Sequence, residues 1–409
     1  MEPSELEALL TPETLRLLEG LPDAANAEGV MSLISSLRRA GHSPERVHAV
    51  MNQLSLRRKA EDKFGEFARG MLFTKDGLEQ ATRLAVASHH AGRMRDAGIK
   101  KVADLGCGIG GDSLAFAGLG LSVLAVERDM AAAALASYNL AAFNDVTVVR
   151  GNVEDVALES VDALWIDPAR REGMRRYSDP NDWSPSLEWV FDVARQIPSG
   201  VKLAPGMDRD LIPEGLEAQW VSHNGTVVEM VLWTGRLQRP GVGRSALVMT
   251  PRGSAEMSAA ADSADADVGE LGEYLLEPDG AVIRARLIGD LARSLGGVMI
   301  DPSIAYISTP TAHHSPLFQG FQILERAPYS PKNLVSLVTS AQLGRVEIKK
   351  RGIDVDPAQL RRTLPLTGKN TGTLILTRVQ GVKTALLAKR LDSLGEDVPG
   401  TDEEGHGQR

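Results

Sequence analysis

Apolar residues recur at helical spacing through the first 70 positions. Thr11-Pro-Glu-Thr14 reads as a helix start, with Leu15, Leu17 and Leu18 behind it. Val30 to Leu37 and Pro44 to Leu56 continue the pattern, broken at Gly41-His-Ser-Pro44. Short apolar runs then predict strands at Lys101–Asp104, Val123–Val126, Val146–Val149, Ala163–Ile166 and Val201–Leu203, with a helix from Ser113 to Leu119 between the first two. Trp220–His223 and Val227–Trp233 flank Asn224-Gly225, a strong short-range hairpin signal. Ser254 to Glu270 is rich in Ala, Ser and Asp and reads as a linker. Beyond it a smaller α/β region is expected. It holds a helix from Ile283 to Leu295, strands near Met299, Ala305–Ile307 and Phe318–Glu325, and a helix over Pro331–Leu343. The strand Arg345–Arg351 follows, then the segments Pro357–Leu364 and Thr373–Val379, and one last strand or helix.

The stretch that organises the chain is Lys101-Val-Ala-Asp-Leu-Gly-Cys-Gly-Ile-Gly-Gly-Asp112, followed by Val123-Leu-Ala-Val-Glu127. A strand runs into glycines, a helix follows, and a second strand ends on an acid: the nucleotide-binding half of a doubly wound α/β sheet. Gly106, Gly108 and Gly110 allow a tight turn and close approach of a ligand. Glu127 stands where a carboxylate can accept both hydrogen bonds of a ribose diol. The spacing of Gly106, Gly108 and Gly111 also fits the dinucleotide fingerprint, so the glycines alone leave the ligand open. Asp104 is expected at the loop entrance, where a carboxylate would repel a pyrophosphate but suit a sulfonium and an α-ammonium. Leu164-Trp-Ile-Asp-Pro-Ala-Arg-Arg171 places Asp167-Pro168 at the end of another strand, facing the same crevice.

Size and composition narrow the class. At 409 residues, with 43% hydrophobic and 24% charged positions, the chain reads as a soluble globular protein of two or three domains. No apolar run is long enough to span a bilayer and the N-terminus lacks a signal-peptide pattern, so a cytoplasmic enzyme without membrane partners is expected. One cysteine excludes an internal disulfide and a cysteine-rich zinc site, and no metal is expected. The net charge of −9 argues against a generally basic nucleic-acid binder. It is uneven, however: Glu273 to Asp392 carries 16 Lys and Arg against 10 Asp and Glu. Nothing in the sequence sets the oligomeric state.

These motifs, in this order, resemble motifs I, II and IV of the class I S-adenosylmethionine methyltransferases. Gly108-Ile-Gly-Gly-Asp-Ser-Leu-Ala-Phe116, with Phe73-Thr74 upstream, looks most like the trimethylguanosine synthase-like (RNA guanine-N2) methyltransferases over residues 60 to 235. The region behind the linker resembles a THUMP-like domain, with Lys-Lys-Arg-Gly at 349–352. The resemblance implies a Rossmann-like class I methyltransferase sheet with an N-terminal helical region and a smaller α/β C-terminal THUMP-like domain. The implied boundaries are 1–70 helical, 71–250 methyltransferase, 251–270 linker, 271–393 THUMP-like and 394–409 disordered tail. It further implies S-adenosylmethionine as cofactor and RNA (transfer or ribosomal) as partner. Thr74 would receive the methionine carboxylate of the cofactor, or simply cap the helix that follows. Asn152, with Glu154 and Asp155 behind it, could meet the adenine amine.

An Asp-Pro turn suits an exocyclic amine: Asp167 accepts one N–H, the Pro168 carbonyl the other, and the lone pair is directed at the methyl group. Where the family usually has Pro and a stacking aromatic, this chain has Ala169 and Arg170. The Arg170 guanidinium could stack on a base or bind phosphate. Arg171, Arg175 and Arg176 make the following loop basic, favouring a polyanion unless they are plain surface arginines. The run Arg57-Arg-Lys59, with Lys63, reads either as a solvated helix face or as a basic rim touching substrate phosphates. His89 and His90 read as structural. Carbon-5 pyrimidine methylation needs a cysteine beside the base, and Cys107 sits in the glycine loop as a small packing residue. The expected activity is methyl transfer to RNA at a base amine. The rivals are a methyltransferase of a protein or small molecule, and a non-catalytic RNA-binding adaptor that keeps the fold.

Overall fold

The structure is a computed structural model describing residues 1–21, 27–168, 171–172, 175–176 and 183–391, with only the backbone of 27–28, 171–172 and 175–176. Two compact units divide the chain, the first made of Met1–Glu217 and Met230–Pro240, the second of Ala218–Glu229 and the residues from Gly241 onward.

The first unit opens with helices α1 (Pro3–Leu9), α2 (Pro12–Gly20), α3 (Ala27–Arg39) and α4 (Pro44–Phe64). Thr11 caps α2 through the Thr14 N–H and Ser43 caps α4 through the Arg46 N–H, each with proline in the first turn. Gly41, at φ +86°, makes the break between α3 and α4. Next come α5 (Lys75–Gln80) and α6 (Leu84–Asp96), then the alternating part: β1 (Lys101–Leu105), α7 (Gly111–Gly118), β2 (Ser122–Glu127), α8 (Met130–Asn139), β3 (Val146–Arg150) and β4 (Ala163–Ile166). Two-residue strands β5 (Arg171–Glu172) and β6 (Arg175–Arg176) pair with each other. The unit closes with α9 (Leu187–Gln196), β7 (Ser199–Leu203) and the end of β9 (Thr226–Trp233). Its sheet runs β3-β2-β1-β4-β7-β9. β9 alone is antiparallel to its neighbour β7. The order reverses at β1, so a crevice opens beyond the C-terminal ends of β1 and β4, where α/β sheets take their ligands.

Two buried amides set the approach to that crevice. Asn139, at the end of α8, accepts the Leu72 N–H at 2.7 Å and donates to the carbonyls of Leu72 and Ile109 at 3.0 and 2.9 Å. Gln53 on α4 exchanges a pair of hydrogen bonds with the Phe73 backbone, at 2.8 and 2.9 Å. The strand-like segment 71–74 thus finds its backbone partners in side chains rather than in a sheet. Asn139→Ala orphans three buried backbone groups at roughly 1–3 kcal/mol each before relaxation. Urea unfolding should show a loss of at least about 2 kcal/mol, and a loss under about 0.5 kcal/mol would refute the clamp.

The basic run on α4 is divided: Arg58 and Lys59 are exposed, as on a solvated face, while Arg57 and Lys63 turn to backbone carbonyls. Arg57 is buried with its Nε on the Met71 carbonyl at 2.9 Å. Lys63 donates to the carbonyls of Leu78, Glu79 and Ala81, each at 2.8 Å, closing the end of α5. Burial, with Arg83 nearby, pulls the Lys63 pKa down to about 8. Only Arg58 and Lys59 are exposed.

In the second unit β8 (Glu217–His223) runs parallel to β10 (Arg244–Thr250), which pairs antiparallel with β11 (Gly253–Ala259). Asn224 and Gly225, at φ +51° and +77°, form the two-residue turn between β8 and β9. β11 occupies the first third of the stretch expected to be a linker. Its alternate residues are exposed and it has little to bury; pairing to β10, not apolar content, makes it a strand. A seven-stranded sheet follows in the order β13-β14-β12-β15-β18-β17-β16. Its strands are β12 (Tyr274–Pro278), β13 (Val298–Asp301), β14 (Ile304–Thr309), β15 (Phe318–Pro328), β16 (Leu343–Lys350), β17 (Asn370–Val379) and β18 (Val382–Arg390). Helices α10 (Gly280–Arg284), α11 (Ile288–Ser294), α12 (Pro331–Ser340) and α13 (Pro357–Thr363) accompany it. The expected single helix Ile283–Leu295 is interrupted at Arg286, φ +59°. The central strands are buried on both faces: Leu374, Leu376 and Leu387 pack toward Leu334 and Leu337, while Ile375 and Leu386 pack toward Tyr306 and Phe321. The tail expected from 394 lies outside the described residues.

Candidate active site

The glycine loop is built on strand ends. Gly106 and Cys107 both donate to the Val126 carbonyl, at 2.9 and 3.0 Å, pinning the exit of β1 to β2. Gly106, Gly108 and Gly110 all have positive φ, at +89°, +56° and +86°. At Gly106 the requirement is double, because a Cβ would lie 2.9 Å from the Asp167 carbonyl oxygen. The loop therefore touches the Asp-Pro turn backbone to backbone, and the Asp167 N–H donates to the Leu105 carbonyl at 3.2 Å.

Glu127 ends β2 under the same loop. One carboxylate oxygen accepts the Gly108 N–H at 2.9 Å, the other the Asp129 N–H at 2.8 Å. Each oxygen keeps a second lone pair, so the group is held rigidly and can still take two hydroxyl donors. Cys107 is buried, and burial pushes its thiol well above the ordinary range, as befits a packing residue.

Asp104 does not stand at the loop entrance. It is 1% exposed within β1, and the Ser113 hydroxyl donates to it at 2.5 Å. Burial first, then repulsion from Asp112, pushes its pKa above the ordinary carboxylate range, which favours the neutral acid. The acids that meet solvent near the loop are others.

Asp167 is paired to Lys202, a residue that motif reading passed over. The Lys202 ammonium, 13% exposed, lies 2.5 Å from the Asp167 carboxylate, 2.9 Å from the Thr82 hydroxyl oxygen and 3.8 Å from Asp112. Thr82 in turn donates to Asp112 at 2.8 Å. One lysine on β7 thereby ties the acceptor turn after β4 to the first turn of α7. The available signal was a lone lysine inside the apolar strand Val201-Lys-Leu203, one strand away from the Asp-Pro. The second oxygen of Asp112 is buried and has no hydrogen-bond donor among the described residues.

Thr74 caps α5, its hydroxyl oxygen accepting the Gly77 N–H at 2.9 Å. α5 lies directly against the glycine loop: a Cβ on Gly77 would come within 2.6 Å of Ile109. Asn152 is exposed after β3 and donates to Asp155 at 3.1 Å. Pro168 is buried. Arg170 lies outside the described residues, as do the side chains of Arg171, Arg175 and Arg176. His90 packs among Trp165 and Trp233 at ring distances of 4.6 and 5.9 Å.

The site fits a cationic adenosine-bearing methyl donor on three counts. Glu127 offers two preset acceptors for a diol, Gly108 borders open space where a Cβ would meet no protein atom within 4 Å, and the orphaned Asp112 oxygen awaits a donor. Glu127, Thr74, Asp112 and the glycine backbone are the groups that would hold it.

Comparison with known proteins agrees in outline. Residues 318–390 match the THUMP domain-like family, and residues 2–60 match a domain of unknown function. Two proteins of Mycobacterium tuberculosis, from strains CDC 1551 / Oshkosh and ATCC 25618 / H37Rv, are each 33% identical over 335 residues. The match covers 79% of this chain and 90% of theirs, and both are named uncharacterized S-adenosylmethionine-dependent methyltransferases. A crystal structure of a candidate methyltransferase from Porphyromonas gingivalis W83 is 20% identical. It superposes with a TM-score of 0.71 over 90% of this chain and 99% of that one, a likeness of fold.

Proposed function

Because the chain belongs to the S-adenosylmethionine-dependent methyltransferases, we propose that its acceptor is an exocyclic base amine of RNA, in the manner of the trimethylguanosine synthase-like enzymes. The observation that carries this reading is the Asp167-Pro168 turn, set against the glycine loop and held by Lys202. The cofactor supplies an electrophilic methyl group on a sulfonium. Asp167 takes one N–H of the amine and the Pro168 carbonyl the other, so the nitrogen lone pair points at the donor and little beyond positioning is required. Glu127 holds the ribose, Thr74 meets the carboxylate end, and the backbone at Gly106, Gly108 and Gly110 lies along the donor. Asn152 meets the adenine edge, and Arg170 takes the place of the usual aromatic as a stacking plane. Asp104 supports the loop from beneath through its hydrogen bond from Ser113.

The THUMP-like match and the net positive charge of residues 273–392 support an RNA partner. In this reading residues 1–70 form a helical entry region, 71–250 the catalytic domain and 271–393 the RNA-holding part. No described helix is long and apolar enough to cross a membrane.

The test of the acceptor is transfer of labelled methyl from S-adenosylmethionine into total RNA of a deletion strain, followed by mass spectrometry of its nucleosides. A methylated guanosine or adenosine amine that disappears on deletion is expected. Label in protein or small molecules alone would overturn the RNA reading. For the cofactor, Glu127→Ala should weaken S-adenosylmethionine binding about 10- to 100-fold by calorimetry, from the loss of charge-assisted hydrogen bonds. Unaltered affinity would remove Glu127 from that role.

A further inference from the structure

We propose that the second unit carries a phosphate-binding pocket built on Arg351 and Arg378, which receives a phosphate group of a nucleotide. A cavity of about 460 Å³ opens there, bounded by Ile283, Ser303, Ile304, Arg351, Gly352 and Arg378. The pocket is open to solvent on one side, so it suits a phosphate group that is seated while the rest of its nucleotide stays outside.

The residues of Lys-Lys-Arg-Gly divide into separate tasks. Lys349 is spent internally: it pairs with Glu277 at 2.5 Å and lies over the Phe321 ring. The three basic side chains therefore do not form one phosphate-binding face. Arg351 leaves the end of β16 over the ring of Tyr306, 5.5 Å from its centroid, with one Nη1 bond to the Ala305 carbonyl at 3.1 Å. Gly352, at φ +76°, packs so closely on Ile304 that a Cβ would come within 2.4 Å of it. Its carbonyl accepts the Arg378 Nε–H at 2.9 Å. Each guanidinium is thus aimed by a backbone carbonyl through a single bond, leaving most of its donor fork for another acceptor.

A carboxylate acting on Arg378 is that of Asp301, and three of its acceptor positions are already taken. One oxygen accepts the N–H and hydroxyl of Ser303 at 2.9 and 2.6 Å, the other the Gly381 N–H at 2.7 Å. The residues lining the pocket carry two guanidinium groups and no carboxylate, so the lining is net positive, with planar donors suited to the oxygens of a phosphate. Apolar walls from Ile283 and Ile304 exclude water on one side and strengthen the attraction.

The pocket stands on its own geometry; that its phosphate comes from RNA rests on the preceding functional reading. Titration calorimetry of the full chain, with the donor site filled by S-adenosylmethionine, would compare AMP, adenosine, inorganic phosphate, and a short RNA with and without a 5′-phosphate. AMP should bind and adenosine should not. Arg378→Ala, at an exposed position, should weaken AMP about 10- to 100-fold while S-adenosylmethionine affinity reports an intact fold. Arg351→Lys, which keeps charge but loses the fork, should weaken it less. Equal affinity for AMP and adenosine, or AMP binding indifferent to Arg378→Ala, would overturn the pocket. Loss of affinity for 5′-phosphorylated RNA in parallel with AMP supports pocket and RNA source together. AMP binding without RNA binding keeps the pocket and sinks the RNA reading, whereas RNA binding with AMP indifferent to the variant does the reverse.

Discussion

Asp167→Ala is expected to lower methyl transfer by about 10²-fold or more, with S-adenosylmethionine affinity changed little, since loss of one positioning contact at the reacting centre has effects of that size. In the proposed arrangement the carboxylate grips the acceptor, while the glycine loop that would carry the donor touches the turn at the Asp167 carbonyl, not at its side chain. Removing it also leaves Lys202, 13% exposed, without its nearest carboxylate. Asp167→Asn keeps the shape and one acceptor oxygen and should lie between parent and alanine. Lys202→Met should reproduce part of the loss, because it frees the turn from Thr82 and α7. The readout is single-turnover label transfer at saturating donor, with calorimetry alongside. Parental rates in Asp167→Ala would end the amine-gripping account and favour an adaptor that only keeps the fold.

Glu217→Ala should cost about 3–5 kcal/mol of unfolding free energy, the usual loss when one partner of a buried ion pair is removed. Its carboxylate is fully buried and bridges two arginines: Arg93 of α6, which lies 4.2 Å over the Trp233 ring, and Arg239, bound at 2.6 Å. Against a whole-domain stability of about 5–15 kcal/mol, such a loss is large. Burial alone would raise the Glu217 pKa, but hydrogen bonds from the two arginines lower it below the ordinary 4.5. A depressed folded-state value means the stabilisation is present above about pH 4.5 and is lost as pH falls through the folded-state value. The gap between parent and Glu217→Gln in denaturant midpoint should therefore narrow on acidification from pH 6 to pH 4. A gap independent of pH, or a Glu217→Ala loss under about 1 kcal/mol, would contradict this.

Local chemistry made the catalytic frame readable before any coordinates. Five apolar runs, glycines that must take positive φ and an Asn-Gly turn each declare themselves within a few residues, and strands and loop lie where those signals fall. What escaped were partnerships between distant positions. Asn139 with Leu72, Gln53 with Phe73, Lys202 with Asp167 and Arg93 with Glu217 join residues 20 to 124 positions apart, and each polar side chain alone looks like surface. Arg57 and Lys63 misled for the same reason, since a charge run says nothing of which carbonyls it will meet. β11 escaped because its stability comes from the neighbouring strand. Asp104 was recognised as part of the motif, but its depth was not.

The contact between Gly106 and the Asp167 carbonyl fixes a gauge. The glycine loop and the Asp-Pro turn meet main chain to main chain, so any side chain placed at position 106 would wedge the two apart. A redesign aimed at another acceptor should therefore keep glycine at 106 as its fixed mark and make its changes elsewhere.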